Sequence, residues 1–140
     1  MGEYIGASIR LSGPLRQVYV QDLIEVLNAY DLTVDFDGEK PSAENLHKVF
    51  GNWEVNYGNL EEIEGFAQRR GLDYELWNAS GPDWDASTYR MVGGERREIT
   101  MAEQGPVLTE GEIDRLGSMA AIKNWFFWWK QPLPDLQIVP

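Results

Sequence analysis

The sequence predicts an α+β fold, a mostly antiparallel sheet with helices packed on one face. Three observations carry that expectation. Short stretches alternate apolar and polar residues with the period of a half-buried strand. Between them lie segments whose apolar residues recur at i, i+3, i+4 and i+7, the stripe of an amphipathic helix. Gly93-Gly94 separates two alternating stretches and reads as a two-residue hairpin turn. The 140 residues, 43% of them hydrophobic, suffice for one domain that buries roughly two thirds of its unfolded surface without metals or disulfides. The expected domain is 1–140, with a core over about 4–101 and a C-terminal helix and proline-rich tail over about 109–140.

Each element has its own justification. The first strand, 4–11, alternates Ile5, Ala7, Ile9 and Leu11 with more polar neighbours, and Gly13-Pro14 ends it. The first helix, 18–30, sets Leu23, Val26, Leu27 and Tyr30 in one stripe. A second strand, 31–37, faces Leu32, Val34 and Phe36 one way and Asp31, Thr33, Asp35 and Asp37 the other. After the turn 38–41, Ser42 caps a short second helix with Leu46, Val49 and Phe50 inside, closed by Gly51. A third strand holds Trp53, Val55 and Tyr57 on one face. Asn59 caps a third helix with Glu62 as capping-box partner, Leu60, Ile63, Phe66 and Ala67 buried, and Gly71 at its end. The fourth strand, 72–77, alternates Leu72, Tyr74 and Leu76 with Asp73 and Glu75. The hairpin at Gly93-Gly94 follows. Thr109 and Glu112 form a capping box that opens a last helix reaching about Trp129, and Pro132 and Pro134 begin an extended tail.

An internal echo orders these elements. Glu25-Val26-Leu27 leading to Leu32-Thr33-Val34-Asp35-Phe36 resembles Glu64-Gly65-Phe66 leading to Leu72-Asp73-Tyr74-Glu75-Leu76. Strand–helix–strand twice over is the split βαβ of a ferredoxin-like sheet. The second helix is then an insertion, and the hairpin and last helix are a C-terminal extension.

Charge is concentrated. Eleven acids lie between Asp22 and Glu64 against Lys40 and Lys48, so this stretch carries −9 of the chain's −11. A localised field of this kind speaks to partners rather than to fold. A pI near 4.4 turns the general surface away from nucleic acid and anionic lipid and towards basic partners. The absence of cysteine excludes disulfides, thiol nucleophiles and Cys-based metal sites, and it fits a reducing compartment, which points to the cytoplasm. No apolar h-region follows Glu3, so no signal peptide is expected, and no apolar run approaches the roughly 18–20 residues that span a membrane. No phosphate loop, dinucleotide fingerprint or metal-binding His pair is present. No cofactor is expected.

The candidate residues follow from the charge. Asp31, Asp35 and Asp37 share one face of the predicted second strand, at multiples of roughly 6.7 Å. Asp22 and Glu25 share a helix flank, and Glu39 extends the set. No acid on the first or third helix has a Lys or Arg four residues later, so local ion pairs leave this charge intact. Duplex DNA presents a charge about every 1.7 Å of axis, and strand and helix acids together approach that density. Against this stands a solvated face that serves solubility alone. Glu61, Glu62, Glu110, Glu112 and Asp114 are accounted for by helix N-termini.

Asp83-Trp84-Asp85 sets two carboxylates around an indole, a combination that suits a partner's arginine, though a turn closed by Asp83 or Asp85 explains it as well. The segment from Thr33 to Glu44 matches a calcium loop at Asp35, Asp37, Gly38 and Glu44. It departs at Thr33, Lys40 and Pro41. The five consecutive aromatics 125–129 cover every side of a helix. Ile122, Trp125, Phe126 and Trp129 form a core stripe, leaving Phe127 and Trp128 for the tail or a second copy, a homodimer through the aromatic helix. His47, the only histidine, has no second base beside it. Arg90, Arg96 and Arg97 are expected to pair with Glu95, Glu98 or the acidic surface.

These observations predict a non-enzymatic acidic inhibitor that docks on a basic nucleic-acid-binding surface of a partner, a nuclease or a defence complex, without binding nucleic acid or membrane itself. Anti-CRISPR and anti-restriction proteins and toxin-immunity proteins share this physical logic, an analogy of charge and size. The rival is a small-ligand or metal-binding protein, including a hydrolase using Asp35 and Asp37 or Asp83 and Asp85.

Overall fold

A computed structural model describes residues 4–80, 86–102 and 105–140. Strand β1 (Tyr4–Arg16) lies at the centre of the sheet, because alternate side chains on it are buried on both faces. Ala7, Ile9 and Leu11 enter the main core, and Ser8 and Ser12 are buried on the other side. Gly13-Pro14 does not end this strand. Gly13 takes φ 107°, a conformation glycine adopts without strain, and the chain stays extended to Arg16.

A single 3₁₀ turn leads into α1 (Val20–Ala29), which buries Val20, Leu23 and Leu27. Then follow β2 (Thr33–Val34), β3 (Phe50–Asn56), α2 (Glu61–Arg69) and β4 (Asp73–Asn78). These four strands stand in the order β2-β3-β1-β4, every adjacent pair antiparallel. That is the split βαβ arrangement expected from the internal echo. Helices α1 and α2 cover one face, where Leu23, Leu27, Ile63, Phe66 and Ala67 meet Ile9, Leu11, Tyr74, Leu76, Phe50 and Val55 in one core.

The echo extends to the ends of both helices. Leu32 N donates to Leu27 O and Leu72 N donates to Ala67 O. In each turn the preceding residue is left-handed, Asp31 at φ 54° and Gly71 at φ 69°.

The sheet continues from β4 through β5 (Ser87–Val92), β6 (Glu95–Ala102) and the short β7 (Gly105–Pro106). Positive φ at both Gly93 (58°) and Gly94 (85°) matches the twist of a two-residue hairpin. The C-terminal segment forms α3 (Glu110–Leu116), α4 (Met119–Lys130) and β8 (Leu136–Val139), the last pairing in parallel with Gly13–Arg16 of β1.

Several expectations are corrected. The predicted second strand shortens to two residues. Asp35 and Phe36 adopt φ 48° and 63°, Phe36 N and Asp37 N bond back to Thr33 O and Val34 O, and the chain turns away. Asp31, Asp35 and Asp37 therefore do not form a ladder on one strand face. The predicted second helix is a run of turns. The Asn45 side chain takes over local backbone groups, accepting from Ser42 N at 2.8 Å and donating to Lys40 O at 2.9 Å, which competes with helix formation. In β3 a bulge opposite Gly6 reverses the alternation, so Val55 is buried while Trp53 is 60% exposed.

At the start of α2, Asn59 Oδ1 accepts from Glu61 N at 2.8 Å. Glu62 N donates to the Tyr30 hydroxyl at 3.2 Å, which ties α2 to the end of α1 without a capping box. The predicted last helix is two helices. The Thr109–Glu112 capping box opens α3 as expected, Gly117 breaks it at φ 79°, and Ser118 Oγ caps α4. Ile122, Trp125, Phe126 and Trp129 are only half-buried, so the predicted core stripe of this helix is a partial one.

Candidate protein-binding surface

The acids of 22–64 reach the surface from several elements. Asp22 and Glu25 project from α1, and Glu61 and Glu62 from the first turn of α2. Asp31 caps the end of α1. Asp35, Asp37, Glu39 and Glu44 lie on the connection from β2 to β3, at the sheet edge that β2 forms. Glu54 lies in the β3 bulge next to that edge. Ten of the eleven are exposed, and Glu64 is the exception.

Among the described residues, Glu64 is also the one acid of the set in an ion pair, 3.1 Å from Arg96 Nη2. Burial alone would lower the Arg96 pKa. The Glu64 carboxylate outweighs it and, with the Tyr74 hydroxyl, holds the guanidinium above its usual range. The remaining acids keep their charge facing water. The acids stand on the flanks of α1 and α2, on the α1 end turn, on the β2–β3 connection and in the β3 bulge, not on a strand ladder.

The calcium-loop resemblance is not supported by the geometry around it. Thr33 Oγ1 accepts from Gly38 N at 3.1 Å and Asp37 Oδ1 from Glu39 N at 3.3 Å, so both oxygens serve the turn. The segment itself opens as strand β2, and turns follow Pro41 where a helix–loop–helix needs its second helix. Among the described residues no group of three His, Cys, Asp or Glu is disposed to hold a metal ion. Asp83, Trp84 and Asp85 lie outside the described residues.

Arg96 and Arg97 pair as expected, and Arg90 does not. Arg97 meets Glu95 at 2.7 Å and Arg96 meets Glu64. Arg90 is buried, at 4% exposure, and fastens α4 to the sheet face opposite α1 and α2. Its Nη1 donates to Trp128 O at 2.9 Å and Trp129 O at 3.0 Å, and its Nη2 donates to Gln131 O. Its Nε lies 3.2 Å from Glu75 Oε2, off the line of the N–H, so that contact is ionic rather than hydrogen-bonded. A guanidinium at the carbonyl end of a helix satisfies both the orphan acceptors and the dipole.

Trp128 packs over the Arg97 guanidinium at 4.3 Å. Phe127 stays 65% exposed and is not covered by the tail. The tail instead crosses β1, where Ser12 Oγ donates to Pro134 O at 2.5 Å and Arg10 Nη2 bonds both Leu133 O and Asp135.

Between this strap and the rest of that face lies a cavity of about 370 Å³ lined by Ser8, Arg10, Val49, Glu75, Trp77, Arg90, Pro132 and Leu133. Its charges are paired within the chain: Arg10 with Asp135, Arg90 with Glu75. Asp35 and Asp37, the carboxylates of the rival ligand-binding reading, are not among its lining residues.

Beyond the cavity the same face carries an aromatic cluster. Phe36 stacks on Trp53 with centroids 4.4 Å apart, and both meet Trp77 edge-on at 6.1 and 6.2 Å. Periodicity alone does not reveal it. Gly6 carries the signal, since a glycine inside a predicted strand marks close approach by another group; Gly51 reads instead as the end of the predicted second helix.

No protein-family model, curated protein or solved structure matches this chain. Among the described residues no helix is long and apolar enough to cross a membrane.

Proposed function

We propose that this chain is a non-enzymatic, acidic protein-binding inhibitor that docks on a basic nucleic-acid-binding surface of a partner, such as a nuclease or a nucleic-acid-guided defence complex. One observation supports the reading above all. Ten exposed acids from α1, the α1 end turn, the β2–β3 connection, the β3 bulge and α2 stand outside any ion pair among the described residues. Surface carboxylates that serve only solubility are usually interspersed with lysines and arginines. Here Lys40 and Lys48 are the only bases in 43 residues of sequence. A predominantly acidic surface accelerates encounter with a basic one and makes the complex sensitive to salt.

The docking set is Asp22, Glu25, Asp31, Asp35, Asp37 and Glu39, with Asp83, Trp84 and Asp85 as the second group read from sequence. The comparison with anti-CRISPR, anti-restriction and immunity proteins rests on charge and size alone.

The test is capture of partners from the native cell extract at low salt, elution with a salt gradient, and challenge with duplex DNA. The reading predicts a basic nucleic-acid-binding protein that moderate salt releases and DNA displaces. Elution of the protein alone, or a partner indifferent to DNA, contradicts it.

A further inference from the structure

The aromatic cluster is built at a cost that core packing does not explain. Phe36 sits at φ 63°, a conformation that a bulky side chain adopts only under constraint. The Phe36 ring lies against Gly51, where a Cβ would stand 2.4 Å from its edge, and Trp53 lies on Gly6, where a Cβ would stand 2.8 Å from the indole. Two glycines and a strand bulge thus clear a bed for two stacked rings. Yet the rings are not buried, and Trp53 keeps 60% of its surface in water. They occupy the sheet face opposite α1 and α2. Carboxylates bracket them in sequence: Asp35 and Asp37 flank Phe36, and Glu54 follows Trp53. All three are exposed and outside any ion pair among the described residues.

An exposed π-face with carboxylates next to it in sequence, none of them in an ion pair among the described residues, matches one group best. A guanidinium is planar, weakly hydrated and forked, so it stacks on an indole while its N–H groups reach carboxylates on either side. A lysine ammonium is a compact, strongly hydrated point charge and gains less from the ring. Elsewhere the chain uses this pairing within itself, with Arg70 over Tyr19 at 3.9 Å, Arg96 over Tyr89 at 4.2 Å and Arg97 over Trp128 at 4.3 Å. Among the described residues no guanidinium covers Trp53. Nucleobases also stack on aromatic sheet faces, but their phosphates would be brought against Asp35, Asp37 and Glu54 on a chain of net charge −11.

We infer that the Phe36–Trp53 stack is a seat for an arginine side chain of a basic protein partner, with Asp35, Asp37 and Glu54 as its counter-charges. The inference rests on the acidic-docking reading and adds a residue-type preference that charge alone does not confer.

The experiment uses the whole chain with nona-arginine, nona-lysine and an oligothymidine strand at matched ionic strength. Affinity is read by calorimetry, and the Trp53 indole N–H by NMR, its signal assigned with Trp53→Phe. The seat predicts nona-arginine binding about five-fold tighter than nona-lysine, as expected of an exposed cation–π contact, with the Trp53 signal moving. Trp53→Ala reduces nona-arginine to the nona-lysine level, while Trp53→Phe keeps a preference. Equal, salt-sensitive binding of both peptides, or a preference unchanged in Trp53→Ala, overturns the seat and leaves the acidic-docking reading standing. Failure of both peptides to bind overturns both. Oligothymidine moving the Trp53 signal overturns the seat in favour of base stacking.

Discussion

Asp31 occupies the turn where Gly71 stands in the second half of the fold, and Asp31→Gly is therefore predicted to stabilise the protein. Both turns close a helix with the same hydrogen bond to the fifth residue back, Leu32 N to Leu27 O and Leu72 N to Ala67 O. Both need a left-handed residue, at φ 54° and 69°. A side chain in that region costs about 1 kcal/mol, less for Asp than for most residues. Asp31 also puts a negative charge at the carbonyl end of α1, a further ~0.3–1 kcal/mol. Glycine gives back part of the gain through its larger unfolded-state entropy, roughly 0.5 kcal/mol.

The net is about 1 kcal/mol in favour of glycine, a rise in Tm of about 4 °C for a domain of this size. Urea and thermal unfolding at low salt measure it. Gly71→Asp is the reciprocal test. No atom lies within 4 Å of a Cβ added there, so its expected loss of about 1–2 kcal/mol is conformational and electrostatic rather than steric. Unchanged or reduced stability in Asp31→Gly, together with a neutral Gly71→Asp, would refute the reasoning.

Other consequences follow from single contacts. Arg90→Met removes three charge-assisted hydrogen bonds from the end of α4 and should cost about 3 kcal/mol, with hydrogen exchange in α4 rising; a loss under about 1 kcal/mol in urea unfolding contradicts it. Gly51→Ala drives a Cβ into the Phe36 ring and should cost about 1–3 kcal/mol. Most of that cost should vanish in the Phe36→Ala background, so additivity of the two substitutions in a double-mutant cycle counts against the stack. Burial, followed by the Glu98 carboxylate, raises the Tyr89 pKa. The folded state therefore holds this proton more tightly than the unfolded chain. Its contribution is intact below about pH 10 and is lost as pH rises through the folded value. Tyr89→Phe should flatten the stability curve in that alkaline range, and an unchanged curve argues against the shift.

The split βαβ order was legible because periodicity and the internal echo report burial, and burial decides which segments become helices α1 and α2 and strands β1, β3 and β4. What the sequence concealed lies where side chains compete with the backbone or where a single residue changes direction. Asn45 dissolves a helix that Leu46, Val49 and Phe50 favour by spacing. Asp35 and Phe36 leave the extended region and end a strand whose alternation runs on to Asp37. The bulge at Trp53 separates its ring from the buried Val55 that the alternation sets beside it, a change of register that alternation alone does not disclose. The same two departures create the aromatic stack, so the most specific part of the candidate surface was the part least visible in the pattern. The charge was legible throughout, because unpaired acids need only exposure, which composition and spacing report well.

The central claim is that the acidic face occupies a nucleic-acid-binding surface by charge. A competition titration tests it most directly: duplex DNA is displaced from the captured partner by the wild-type chain and by Asp22→Lys/Asp35→Lys/Asp37→Lys, with circular dichroism confirming the fold of both. The account predicts that the wild-type chain displaces DNA with a midpoint that rises steeply with salt, and that the folded triple variant loses displacement by roughly a hundred-fold, at about 1 kcal/mol per reversed charge. Equal displacement by a folded variant, or wild-type binding that leaves DNA in place, contradicts it.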